Sequence, residues 1–230
     1  VRLRINSVDR APHDVNVIRG RVQLSEILNP LGYGLLEPSR VGYLLFPRIS
    51  SETLVTETVR SLETLLEAGN VTGIILDLRI ASGLQWPLVP LLSLFSEGSH
   101  GEIYTTEGAQ PISVEAYDLN GTQSVPLVVL VGRDTEGLPE VLAAALKSRS
   151  RATIVGLTTP GHVESFVDFV LPDGSRLTVM TSGYVSADGR QIGLEGVRPD
   201  VQVTLDWDQV SDQTDPVRNT AISVLRRGAE

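Results

Sequence analysis

The segment Leu127-Val-Val-Leu-Val-Gly-Arg-Asp-Thr-Glu-Gly-Leu-Pro-Glu-Val-Leu-Ala-Ala-Ala-Leu146 reads as a buried strand, a short polar turn and an amphipathic helix. An α/β hydrolytic enzyme presents its nucleophile at such a helix N-terminus, where the partial positive charge of the helix end favours a developing anion. Here the turn offers Gly137 at that point, and a glycine cannot attack a carbonyl. Two readings follow. Gly137 is a helix-entry glycine without a chemical role, or it leaves a pocket against which an anion or a peptide carbonyl docks.

Other side chains compete for a chemical role. Thr135 carries the hydroxyl that precedes the helix, but Asp134 and Glu136 beside it would raise the pKa of a hydroxyl rather than activate it. Ser148 and Ser150 lie at the far end of the helix, and Thr158 and Thr159 lie near His162. His162 has the ring chemistry of a general base at neutral pH; its plainer reading is a solvated residue of the Pro160-Gly-His turn. Asp77 and Arg79 resemble a catalytic pair and read more simply as a structural ion pair. Trp86 reads as packing under a loop before it reads as a substrate platform.

The elements that must position these residues follow from periodicity. Val1–Ile5 and Val15–Val22 alternate apolar and polar residues, with a turn at Asp9–His13 between them; Val41–Phe46 is a third strand, stopped by Pro47. From Glu52 to Ala68 the residues Val55, Val59, Leu62, Leu65 and Leu66 recur at helical spacing, with Ser50 or Ser51 as N-cap and Gly69 at the left-handed end. Gly73–Leu78 is a strand apolar on both faces, Pro87–Phe95 a helix, and the stretch from there to Gln123 reads as a polar region. Beyond the strand at Ala152–Gly156, Phe166–Leu171 and Leu177–Thr181 flank the turn Pro172-Asp-Gly-Ser175. Val201–Leu205 is a short strand, and Asp215 caps a terminal helix with Pro216 at its first position. This order predicts an α/β or α+β domain with one main mixed sheet flanked by helices, plus C-terminal β-hairpins.

Composition excludes several functions. A net charge of −9 without a basic run argues against nucleic acid, whose binding needs clustered Lys and Arg. With no cysteine and three scattered histidines, His13, His100 and His162, no metal centre and no cofactor site is expected. No apolar run approaches the ~18 residues of a membrane span. The opening Val1-Arg-Leu-Arg-Ile-Asn is neither a signal peptide nor an evident natural beginning, and reads as a strand cut from something larger.

Taken in order, several pieces resemble the carboxyl-terminal processing peptidases, or tail-specific proteases. They are Val41-Gly-Tyr, Gly73-Ile-Ile-Leu-Asp-Leu-Arg79, Pro126-Leu-Val-Val-Leu-Val131, Glu140-Val-Leu-Ala-Ala-Ala-Leu146 and Arg151-Ala-Thr-Ile-Val-Gly156. Leu171-Pro-Asp-Gly-Ser175, Tyr184, Asp188-Gly-Arg190 and Gly196-Val-Arg-Pro-Asp-Val201 continue the series. The resemblance covers about Val41 to the end and implies a ClpP/crotonase-like core over 25–230. Residues 1–24 resemble the last strands of a preceding PDZ-like module.

That family cuts polypeptides with a serine–lysine dyad, in which a lysine of lowered pKa takes the proton of a serine hydroxyl. Anchored on Glu140, the family's SASASE-like string puts its nucleophile position at Gly137. The base position, in a GKG-like turn after the next strand, falls on His162, and an aspartate of some members falls on Ser148. The family's NNPGG loop reads Ile80-Ala-Ser-Gly-Leu84, keeping Gly83; the backbone N–H groups of Gly83 and Leu138 would be the oxyanion donors. With neither hydroxyl nor lysine in place, the expectation is a pseudopeptidase that binds protein or peptide segments such as unstructured C-termini, outside the cytoplasm. The alternatives are an active serine-type endopeptidase rewired through His162 and Thr135, or one whose site was altered on purpose. A crotonase-like acyl-CoA enzyme shares the fold but not the C-terminal strings.

Overall fold

The computed structural model describes residues 2–7, 10–16, 30–193, 195–204 and 214–228. In chain order the elements are β1 Arg2–Ser7, β2 Arg10–Asn16, β3 Gly32–Leu36, β4 Val41–Leu45, α1 Leu54–Glu67, β5 Gly73–Asp77, β6 Ser82–Gly83, α2 Leu88–Ser93, β7 Gly98–Thr105 and β8 Gly108–Val114. There follow β9 Leu127–Val131, β10 Glu136–Gly137, α3 Leu138–Ser148, β11 Thr153–Gly156, β12 Ser165–Val170, β13 Arg176–Val185, β14 Val201–Gln202 and α4 Pro216–Arg227.

The main sheet runs β14-β11-β9-β5-β4-β3. All its pairings are parallel except the edge pair β3–β4. The apolar runs of β5 and β9 are what a sheet covered on both faces requires. Ile74, Leu76, Val129 and Val131 join the larger core with Leu62 of α1, Leu91 of α2 and Leu142 of α3. Ile75, Val128 and Leu130 turn to the other face and meet Val217, Ala221 and Leu225 of α4. Gly73 belongs to that second contact: a Cβ there would lie 2.8 Å from a Leu225 methyl carbon, so α4 packs directly on the start of β5.

Strand order is also what builds a site. Because β5, β9 and β11 are adjacent, the loops leaving their C-terminal ends lie side by side, the usual place for ligands on parallel sheets. A second, antiparallel sheet, β12-β13-β7-β8, carries the C-terminal hairpin.

The α/β class and, among the described residues, the four helices and the strands at β4, β5, β9, β11, β12 and β13 agree with the sequence reading. Other details need correction. β7 and β8 pair as a hairpin inside the stretch read only as a polar region; Gly98-Ser-His-Gly-Glu102 is too polar to register as a strand, and the pairing of Glu102–Thr105 with Ser182–Val185 of β13 leaves no local pattern. β3 was likewise not expected, its Gly32-Tyr-Gly34 start offering little β-propensity. Thr53, rather than Ser50 or Ser51, is the N-cap of α1, and its hydroxyl bonds Glu57 instead of the helix backbone. Part of the expected turn at Asp9–His13 is strand, since β2 starts at Arg10 and its His13 pairs with Ile5. Val1, residues 17–22 and Leu205 of the expected strands lie outside the described residues. At α4 the forecast cap is present: the Asp215 carboxylate accepts the Arg218 N–H at 3.0 Å.

His100, on β7, is completely buried. Burial pushes its pKa down; the Arg149 charge acts in the same direction, and the Ala145 backbone opposes. A base of lowered folded-state pKa takes up its proton more readily when unfolded. Its contribution to stability is therefore complete above the unfolded value of about 6.5 and declines as pH falls below it. We expect the urea midpoint to drop between pH 7.5 and 5.5, with the drop reduced in His100→Gln. An equal slope in both proteins would contradict this. Glu140, whose pKa burial raises, contributes a slope of opposite sign above about pH 4.5, so the comparison of variants isolates His100.

Candidate functional site

The elbow at the end of β9 is fixed by Thr135. Its hydroxyl donates to the Leu78 carbonyl at 2.9 Å and accepts the Gly132 N–H at 2.9 Å, and the residue is wholly buried. One side chain thus joins the ends of β5 and β9. A hydroxyl committed in both directions and sealed from solvent is not a nucleophile.

Gly137 follows as the N-cap of α3, with φ 76° and ψ −133°. A positive φ at a helix entry is a position that glycine takes without strain. Glu140, one turn into the helix and fully buried, reaches back to accept the Gly137 N–H at 3.1 Å. The same carboxylate accepts the N–H groups of Gly161 at 2.6 Å and His162 at 2.9 Å. Burial raises its pKa, while the Thr159 hydroxyl and the Gly161, Gly137 and His162 amides pull the other way. Glu140 therefore ties the elbow to the loop that follows β11. Sequence reasoning used Glu140 only as an alignment anchor; a carboxylate in the first turn of an otherwise apolar helix was the available signal.

The backbone of His162 is brought to the elbow, and its ring is paired with Glu136. Its Nδ1 lies 2.7 Å from Glu136 Oε1, and both side chains are about half exposed or more. On the opposite side of the elbow, β6 pairs in parallel with β10, Ser82 beside Glu136 and Gly83 beside Gly137. The Glu136 N–H donates to the Ala81 carbonyl at 3.1 Å. Gly83, expected as an oxyanion donor, is thus in direct contact with Gly137. Leu138, the other expected donor, opens α3. The structure brings Gly83, Gly137, Leu138 and the 161–162 backbone together.

The remaining candidates lie apart or have structural partners. Ser148 bonds the Ala145 carbonyl at the far end of α3. Thr159 accepts the Val197 N–H and is buried. Trp86 packs against Phe46 with ring centroids 5.4 Å apart, as the packing reading expected. Asp77 and Arg79 form an ion pair, and it extends further than the sequence suggested. The Arg79 guanidinium grips Asp77 and also spans both oxygens of Asp215 at 3.1 and 2.6 Å, while Tyr43 donates to Asp77. A cavity of about 900 Å³ is lined by Leu127, Lys147, Ala152, Asp200 and Leu225, and Gly83, Gly137 and His162 are not part of its lining.

A parallel α/β sheet that sets a strand-to-helix elbow between a glycine loop from one neighbouring strand and a second loop from the other has the layout of a serine-peptidase-type core. The chain belongs to peptidase family S41, whose family model matches residues 40–203. It is 33% identical over 171 residues to the chloroplastic C-terminal processing peptidase of Tetradesmus obliquus, covering 71% of this chain and 35% of that protein. It is 30% identical over 227 residues to the carboxyl-terminal-processing protease of Synechocystis sp., covering 94% and 51%. Among solved structures, the photosystem II D1 C-terminal processing protease superposes with a TM-score of 0.65 at 26% identity, over 84% of this chain and 52% of that one. A putative peptidase from Parabacteroides merdae matches in fold, with a TM-score of 0.69 at 17% identity over 85% and 64%. The chain spans about a third to a half of these two curated relatives.

Proposed function

We propose that this domain is a non-hydrolytic member of its family, a polypeptide-binding pseudopeptidase. The observation that carries the reading is the occupancy of the elbow. Gly137 stands where the family's nucleophile is expected, and the nearby Thr135 hydroxyl is buried and bonded to Leu78. Acyl transfer needs a nucleophile within hydrogen-bond reach of a base, and the base position holds a histidine paired with Glu136. What is retained is the scaffold: a helix N-terminus and the amides of Gly83 and Leu138, suited to a backbone carbonyl.

The ligand class is an extended segment of unstructured protein, and the working compartment is a lumen or another space outside the cytoplasm. Relatives named as chloroplastic processing peptidases support that placement. Residues 1–24 are read as the remnant of a PDZ-like module. The rewired-peptidase alternative loses its nucleophile with the commitment of Thr135. Titration with fluorescein-labelled β-casein, followed by anisotropy and by gel, tests the proposal. Saturable binding with the label retained on intact casein is expected; absence of binding, or release of labelled fragments, would overturn it.

A further inference from the structure

We propose that the segment Ala81–Trp86 is an autoinhibitory strap over the carbonyl-binding face of the elbow, and that Gly137 is the residue that lets it close. Three observations carry this. The first is the ladder between β6 and β10. In a parallel pair of this register, a bridged residue turns its N–H and C=O toward the same neighbouring strand. With the Glu136 N–H already given to Ala81, the polar backbone of Gly83 faces the 136–138 backbone. In that ladder the Gly83 N–H faces the Glu136 carbonyl and the Leu138 N–H faces the Gly83 carbonyl, so both donors that would hold a peptide carbonyl are already taken.

The second observation is steric. A Cβ on residue 137 would lie 2.6 Å from the Gly83 carbonyl oxygen and 2.8 Å from its carbon. A side chain at 137 and the closed strap exclude one another on this backbone. Gly137 thus does more than omit a hydroxyl; it permits a contact that a serine at the same place would push away.

The third observation is that the strap is anchored at both ends, by Ser82 and by Trp86 against Phe46, and exposed between them. Ser82 bonds the Arg48 carbonyl through both N–H and hydroxyl. Beyond Gly83, Leu84 is exposed, and the buried Trp86 Nε1 has no hydrogen-bond partner. A cavity of about 400 Å³ lined by Ser50, Val55, Leu84 and Trp86 lies beside this part of the strap. A ladder of two residues is at the low end of local stability, and the apparent affinity of a peptide scales with the fraction of strap that is open.

Closure is independent of the peptide-binding reading, whereas gating rests on it, and the experiments separate the two. In hydrogen exchange the amides of Gly83 and Leu138 should be protected in the native chain. They should exchange at least about tenfold faster in Gly137→Ala while Val128–Leu130 stay protected. Unchanged rates in a folded Gly137→Ala would overturn closure. Should that variant not fold, unprotected Gly83 and Leu138 amides in the native chain would overturn it equally. For gating, Ser82→Cys/Glu136→Cys in this cysteine-free chain locks the strap on oxidation. Labelled β-casein should bind the oxidised form at least about tenfold more weakly than the reduced form, and equal affinities would overturn gating. Absence of binding in both forms removes gating together with the peptide-binding reading, and leaves closure to the exchange data.

Discussion

Replacing Arg79 by alanine is expected to destabilise the domain by about 3–5 kcal/mol, the usual cost of leaving a buried charge without its partner. Asp77 is completely buried at the end of β5, and Arg79 grips it through Nε and Nη2. The same guanidinium holds Asp215, the N-cap of α4, so one side chain clamps the central strand to the terminal helix. Burial alone would raise the Asp215 pKa, but hydrogen bonds from Arg79 and the Arg218 amide, with the charges of both arginines, bring it below the ordinary carboxylate value. A carboxyl with a depressed folded-state pKa stabilises the fold above its unfolded pKa, about 3.9, and loses that contribution as pH falls through the folded value. Arg79→Ala should therefore reduce this acid-side loss while lowering stability at neutral pH. Urea denaturation at pH 7 and pH 3 checks both. Arg79→Lys should recover only part of the loss, because a single ammonium cannot make the planar fork that spans two carboxylates. A neutral-pH change under ~1 kcal/mol would place Arg79 with ordinary surface ion pairs and remove the clamp.

Glu140→Ala should cost a similar amount, about 3–5 kcal/mol. Three backbone N–H groups, those of Gly137, Gly161 and His162, lose their acceptor, and each unsatisfied buried donor costs ~1–3 kcal/mol before relaxation. The loss should be local as well as global. Exchange at Gly161 and His162 is expected to rise more than exchange in β9, because Glu140 is what holds the loop after β11 against the elbow. Glu140→Gln should recover little, since its amide NH2 would face an N–H donor. A Glu140→Ala protein with native stability and protected 161–162 amides would show that the loop is held by other contacts.

These two residues also mark where the sequence is informative and where it is not. Asp77 and Arg79 were legible as an ion pair because they sit two apart at a strand end. Their link to Asp215 crosses 136 residues, and a one-dimensional pattern carries no trace of it. The strands β5 and β9 and the helices were legible because burial imposes apolar runs and 3.6-residue periodicity. The β7–β8 hairpin was not, because polar residues interrupt its apolar pattern and the pairing of β7 with β13 joins segments far apart in the chain. At the site, the order of family motifs led to Gly137, His162, Gly83 and Leu138. The closeness of Gly83 to Gly137 could not be read, since it depends on how two loops from adjacent strands settle against each other. Thr135 illustrates the same limit: the sequence offered a hydroxyl at the right turn, and only its bonds to Leu78 and Gly132 show it to be a brace.

We propose that this S41 domain keeps the place where a peptide would lie and has lost the means of cutting it. Mass spectrometry of unlabelled β-casein, after a day with a repurified preparation at equimolar ratio, tests this most directly. Intact casein with no new termini beyond those of the casein-only control is expected. New termini that grow with time and persist through repeated purification would contradict it.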